Sequence, residues 1–122
     1  MNKETIFKNR ILLAIRLANE DTVGKQIAKR MVDGKLIVKI TDSICMNIQI
    51  TEGRLELVES SDNARAIYEF GDLDSACGLL NKELSPYAAT VHKQLKLQGL
   101  ATLNDTFESL LLLAYEQEKG LR

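Results

Sequence analysis

Ser85-Pro-Tyr-Ala-Ala-Thr-Val-His-Lys-Gln-Leu-Lys-Leu-Gln-Gly99 joins a Pro-started helical turn to a very short strand, Leu95 to Gln98, closed by Gly99. Proline suits a first helical position, where its missing N–H is not needed and its fixed φ already matches the helix. The chain beyond Gly99 is helical, with Leu103, Phe107, Leu110, Leu111 and Ala114 as its apolar residues. So short a strand running into so apolar a helix predicts a terminal helix packed across a sheet. The helix also carries more apolar surface than a small core needs.

Moving back along the chain, Gly71-Asp72 opens a helix predicted to run to about Leu84, with Leu73, Ala76, Leu79 and Leu80 on it. Asn81 is the expected left-handed cap of its regular part. Before it, Ala64, Ala66, Tyr68 and Phe70 alternate with Arg65, Ile67 and Glu69, the period of a strand. Ser60-Ser61-Asp62-Asn63 is a polar loop, preceded by a strand from Arg54 to Glu59. Glu52-Gly53 is a hairpin turn. Ile44, Met46, Ile48 and Ile50 face one way and Cys45, Asn47, Gln49 and Thr51 the other, the cleanest alternation in the chain. Leu36, Val38 and Ile40 form a similar stripe after the Asp33-Gly34 turn.

The N-terminal part is helical. Ile6, Phe7, Ile11, Ala14, Leu17 and Ala18 make an apolar stripe on a helix from Lys3 to Asn19. Asp21 or Thr22 caps a second helix to about Met31. Three strands joined by short loops predict an antiparallel meander, and the helix between the fourth and fifth strands predicts a crossover. The whole reads as one α+β domain over residues 1–122, with a mixed, mostly antiparallel sheet of about five strands and helices on one face.

Composition narrows the function. The chain has 122 residues, 45% of them hydrophobic and 27% charged, with one Pro and no Trp. These are the proportions of a soluble protein with a core of its own. Cys45 and Cys77 lack metal-ligand spacing and read as buried free thiols. No signal peptide is apparent, because the apolar run from Ile11 to Ile15 meets Arg16 and no small-residue cleavage site comes after it. That run is far below the ~20 residues of a membrane span. A reducing cytoplasm fits these features.

The pattern from Ala64 to Leu113 resembles the sterol carrier protein 2 (SCP-2) family, and the resemblance continues more weakly over the meander and the helix before it. Pro86 takes the family's Pro position, Ala88-Ala89 the small pair before its aromatics, Leu95-Lys96-Leu97 its Leu-Lys-Ile core and Gly99 its closing Gly. Thr90 and Val91 stand where the family commonly has Phe, and Lys93 replaces the Gly before the strand. The resemblance implies an SCP-2-like fold with lipid bound in an internal apolar tunnel. With two aromatics missing, sterol specificity does not carry over.

Chemistry finds little support in the residues. The one histidine, His92, has no recognisable orienting acid and reads as a strand-entry residue. Glu52, Glu56 and Glu59 lie along a hairpin as a solvated face, and the seven glycines form no phosphate-cradling cluster. One His and two distant Cys are too few for a metal site, so no cofactor and no catalytic residue are expected. Non-catalytic binding of a lipid or other apolar molecule is the expected function.

The segments Ile11–Ile15 and Leu110–Ala114 are apolar nearly all round, and such a helix is buried on more than one side. Burying a chain of about sixteen carbons contributes ~12 kcal/mol gross. Association costs of ~4–15 kcal/mol leave micromolar to submicromolar affinity, which suits a carrier that must release its cargo. The expected lining is Ile48, Ile50, Tyr68, Phe70, Leu79, Leu80, Val91, Leu103, Phe107, Leu110 and Leu111, with the Tyr68 hydroxyl as a polar handle. The alternatives are a protein-interaction or dimerisation module and an accessory that presents a lipophilic substrate, such as a quinone precursor, to an enzyme.

Charge is uneven. Residues 1–40 carry nine Lys/Arg against four Asp/Glu, and residues 41–90 carry three against nine. Either these are ordinary solvated faces, or Lys3, Lys8, Arg10 and Arg16, beside Phe7, Ile11 and Leu12, let the first helix touch an anionic membrane. Nucleic acid is not an expected partner, because no basic cluster is interleaved with stacking aromatics.

Overall fold

The computed structural model describes residues 2–122. Two helices, α1 (Lys3–Glu20) and α2 (Thr22–Lys29), precede four strands: β1 (Gly34–Ile40), β2 (Cys45–Thr51), β3 (Arg54–Val58) and β4 (Ala64–Phe70). Then come α3 (Leu73–Leu80), α4 (Pro86–Val91), β5 (Leu95–Gly99) and α5 (Ala101–Glu118). The sheet order is β3-β2-β1-β4-β5. β1 and β4 are parallel, and the other three neighbouring pairs are antiparallel.

Register decides what faces the helices. Leu36 pairs with Ile48 and Ala66, Ile50 with Leu55, and Phe70 with Leu95, and these side chains are almost wholly buried. The opposite face carries Lys35, Lys39, Gln49, Glu56, Arg65, Glu69 and Lys96, none of them buried. A sheet with one apolar and one polar face must be covered on the apolar side only.

The meander is as expected, but the crossover is elsewhere. β4 and β5 are antiparallel neighbours despite the two helices between them. The parallel connection is made by the short loop between β3 and β4, which passes across the outer face of the sheet. Asn47 pins it: its Nδ2 donates to the Glu59 carbonyl at 3.0 Å, and its Oδ1 accepts from the Ser61 hydroxyl at 3.0 Å. Farther along, Lys35 Nζ donates to the Asp62 carbonyl at 2.9 Å. Asn47 and its cross-strand partner Ile37, each 7% exposed, are buried outer-face residues because the loop passes there. Cys45 shares this outer face and is exposed, contrary to expectation, whereas Cys77 is buried; both are free thiols.

Local chemistry fixes the helix ends. Asp21 ends α1 and caps α2, its carboxylate accepting from the Val23 and Gly24 amides at 3.0 Å. Those amides and the Arg122 guanidinium, the strongest influence, hold the Asp21 carboxyl below its ordinary range. Gly24 lets α2 cross α1 closely, since a Cβ there would lie 2.0 Å from the Leu17 carbonyl oxygen. Asp72 caps α3 through the Ser75 amide at 2.7 Å, and Ser85 caps α4 through the Ala88 amide at 3.1 Å.

The helix α3 stops at Leu80 rather than Leu84, and the left-handed residue is Lys82 (φ 65°), not Asn81 (φ −99°). The stop is fastened by Arg10. This residue is 2% exposed, donating from Nη1 to the Leu80 carbonyl at 2.6 Å and from Nη2 to Asn81 Oδ1 at 3.0 Å. Its Nε also reaches Glu118 Oε2 at 2.8 Å. Arg10 therefore joins α1 to the ends of both α3 and α5. It does not face outward to a membrane, because each arm of its guanidinium is spent inside the protein.

Candidate functional site

The helix α5 lies over β4, with α3 and α4 beside it, and a narrow cleft of about 50 Å³ opens between them. Its floor is Tyr68 and Phe70 from β4. Leu79, Leu80, Lys82 and Pro86 form one wall, and Glu108, Leu111, Leu112 and Tyr115 form the other. The floor belongs to a chain of aromatic contacts. Phe7 and Phe70 meet edge to face at 5.5 Å between ring centres, Tyr68 tilts against Phe70 at 5.4 Å, and Tyr68 meets Phe107 at 5.3 Å. Such contacts hold the rings in fixed orientations.

One polar pair interrupts this apolar surface. The Tyr68 hydroxyl donates to Glu108 Oε1 at 2.9 Å. Burial pushes the Tyr68 phenol far above its ordinary range, and the adjoining carboxylate adds to the effect. Burial also raises the Glu108 carboxyl; the Tyr68 bond and Lys82 oppose that rise, and Asp105 reinforces it. The pair therefore holds a neutral phenol against a reluctant carboxylate.

The structure brings together Tyr68, Phe70, Leu79, Leu80 and Leu111 of the expected lining. The others lie elsewhere. Ile48 and Ile50 are wholly buried on β2, separated from β4 by β1. Leu103, Phe107 and Leu110 are wholly buried core residues of α5 rather than walls of the cleft. Val91 is 58% exposed at the end of α4, because α4 buries Ala89 instead.

Lys82, Pro86, Glu108, Leu112 and Tyr115 line the cleft without having been expected there. A signal for three of them is in the sequence: Glu108, Leu111, Leu112 and Tyr115 are spaced i, i+3, i+4, i+7, one face of a helix. The run Leu110–Ala114 obscures it by being apolar on every side. Lys82 and Pro86 reach the cleft through the turn after α3, which has no periodic signal.

The expected membrane-facing residues separate too. Lys3 is paired with Asp74 and Lys8 with Glu4, while Arg16 is exposed. Phe7 and Ile11 are wholly buried, leaving Leu12, 44% exposed, as the apolar residue of that group on the outside. His92 caps α4 outside the cleft, and Glu52, Glu56 and Glu59 are exposed. Among the described residues no cluster of three His, Cys, Asp or Glu could hold a metal ion. No described helix is long and apolar enough to cross a membrane.

No family model matches the sequence, and no curated protein matches it. Solved structures do match the fold. The UbiJ-SCP2 ubiquinone synthesis protein superimposes with a TM-score of 0.68 at 17% identity, over 92% of this chain and 97% of that one. The sterol carrier protein domain 2 of Helicoverpa armigera gives 0.66 at 18% identity, over 90% and 87%. A sterol carrier protein 2 gives 0.63 at 19% identity, over 88% and 95%. At such identities the likeness is one of fold, and it extends over nearly the whole chain. By its architecture this chain has the SCP-2-like fold.

Proposed function

We propose that the domain binds a lipid or another apolar molecule in the cleft beside α5, holding or carrying it without chemistry. The observation that supports this most is the cleft: an aromatic floor, leucine walls and one polar pair, on a fold shared with proteins described as sterol carriers. Apolar burial supplies the affinity, and modest affinity is what a carrier needs. At about 50 Å³ the resting cleft is smaller than the ~150 Å³ cavity that accepts benzene. Entry therefore requires the walls to part and a tunnel to form. The wall able to give is the turn from Lys82 to Pro86, which is largely exposed between two short helices.

Binding fits the polar pair better than catalysis does. The Tyr68 proton is committed to Glu108, and the phenol resists ionisation. Likeness to a ubiquinone synthesis protein favours a narrower reading, in which the cargo is a lipophilic quinone precursor held for an enzyme to act on. Contact with an anionic membrane, on this view, uses Lys8, Leu12 and Arg16, which lie at i, i+4, i+8 on the exposed side of α1.

Native mass spectrometry of the purified protein, followed by organic extraction, tests the reading. Recovery of an acyl lipid supports a carrier, and recovery of a prenylated aromatic supports presentation to an enzyme. Leu112→Glu, at a half-exposed site on the cleft wall, should keep the fold and weaken uptake of a micromolar fatty acyl or isoprenoid probe. Leu111→Glu should weaken it further. An empty protein that also refuses such probes overturns the reading in favour of an interaction module.

A further inference from the structure

The polar end of the cleft is unbalanced in its hydrogen-bonding groups. Glu108 presents a carboxylate, with Asp105 close enough to raise its pKa, while the one donor on the floor is the Tyr68 hydroxyl. One helical turn earlier on the same side of α5 stands Asn104, 2% exposed. Its Nδ2 donates to the Gln98 carbonyl at 3.1 Å, but its Oδ1 is buried without a partner. A buried acceptor left unmet is costly. Asn104 lies outside the cleft lining, however, so within the cleft it is the Glu108 carboxylate that calls for a donor.

Resting on the apolar-binding reading, we infer that the cleft selects lipophiles with a neutral hydroxyl head, alcoholic or phenolic, over those with a carboxylate or an ether. A hydroxyl can enter the Tyr68–Glu108 bond without leaving either partner unmet: its oxygen accepts from Tyr68, and its proton goes to Glu108. An ether oxygen can accept from Tyr68 but leaves the carboxylate without its donor. An ionised carboxylate could accept the same bond, but it would face Glu108 with Asp105 nearby. Lys82, the cation that acts on Glu108, sits on the opposite wall and offsets only part of that repulsion.

Retinol, retinyl methyl ether and retinoic acid share one apolar chain and differ at the head, so their binding can be compared by fluorescence titration at about pH 8, where carboxylates are ionised. The parent should bind retinol about tenfold more tightly than the ether, and the acid more weakly still. Glu108→Met removes the acceptor at a part-exposed site and should bring retinol and the ether within about threefold. Glu108→Gln should strengthen binding of the acid. Equal binding of retinol and ether by the parent, or a preference that survives Glu108→Met, overturns the selectivity while leaving the apolar-binding reading intact. If the parent binds none of the three, both fall.

Discussion

On one side of α5, Leu103, Phe107, Leu110 and Ala114 have no exposed surface and belong to the main core. On the other, Glu108, Leu111, Leu112 and Tyr115 border the cleft, and Leu112 is 41% exposed. Both sides are rich in leucine. The neighbours separate them: the first side is closed over by the main core, with α1 and the sheet packed on α5, whereas α3 and the turn after it flank the second. A side chain that meets a sheet is fixed by the register beneath it. One that meets α3 and the exposed turn after it has no such register beneath it, so under the proposed function the same residue type serves stability on one side and ligand access on the other.

The largest expected effects test that division directly. Leu110→Ala should cost about 2–5 kcal/mol of stability, because the packed surroundings cannot close over the lost atoms. Leu112→Ala should change stability by about 0.5 kcal/mol or less and act on ligand uptake instead. Denaturant unfolding of the two variants would break the comparison if their costs were equal.

Arg10 ties the movable side to the fixed one, so its loss should come next in size. Arg10→Met leaves the Leu80 carbonyl and Asn81 without their charged donor, at about 2–3 kcal/mol. Arg10→Lys should not restore the loss, since a single ammonium cannot replace a planar fork serving three groups. Hydrogen exchange should show the amides of Lys82, Glu83 and Leu84 opening faster in both variants, because they lie just past the helix end that Arg10 holds.

A smaller effect should appear in the pH dependence. Glu108 has its carboxyl raised in the folded state, chiefly by burial. A group raised in this way contributes stability that is present below its unfolded pKa and is lost as pH rises through the folded value. The stability of the parent relative to Glu108→Gln should therefore fall as pH increases from about 4 towards neutrality. A flat difference would mean that this side of α5 is as wet as an ordinary helix surface.

How far this division can be read in the sequence depends on periodicity. β4 is legible to the residue, Ala64–Phe70, because period-2 alternation is unambiguous when only one face is buried. The apolar stripe of α5 is legible as a stripe but not as core: the sequence reading assigns Leu103, Phe107 and Leu110 to the lining, and the structure buries them in the core. The cleft side is no more legible: once Leu110 to Leu113 fill every direction around the helix, hydrophobicity no longer says which neighbour each one meets. Arg10 escapes sequence reading because an arginine among leucines looks like a surface residue until the carbonyl it satisfies is known. The crossover escapes it because a polar loop gives no hint that it will lie on a sheet.

The smallest expected effect concerns Lys93 and Lys82, two lysines held with φ at 61° and 65°. Lys93 stands where the SCP-2 pattern has glycine, and its backbone angle gives the reason: a side chain there strains the backbone by about 1–2 kcal/mol. Glycine removes that strain but adds freedom to the unfolded chain, about 0.5–1 kcal/mol. Lys93→Gly should therefore stabilise the domain by about 0.5 kcal/mol. It should leave binding alone, since Lys93 does not line the cleft beside α5. Lys82→Gly relieves the same strain but also removes the cation that opposes the rise of the Glu108 carboxyl. In that variant the pH-dependent loss of stability should move to higher pH, whereas in Lys93→Gly it should stay in place. If both variants titrate alike, the cation on the wall does not act on Glu108, and the two sides of the cleft are electrically independent.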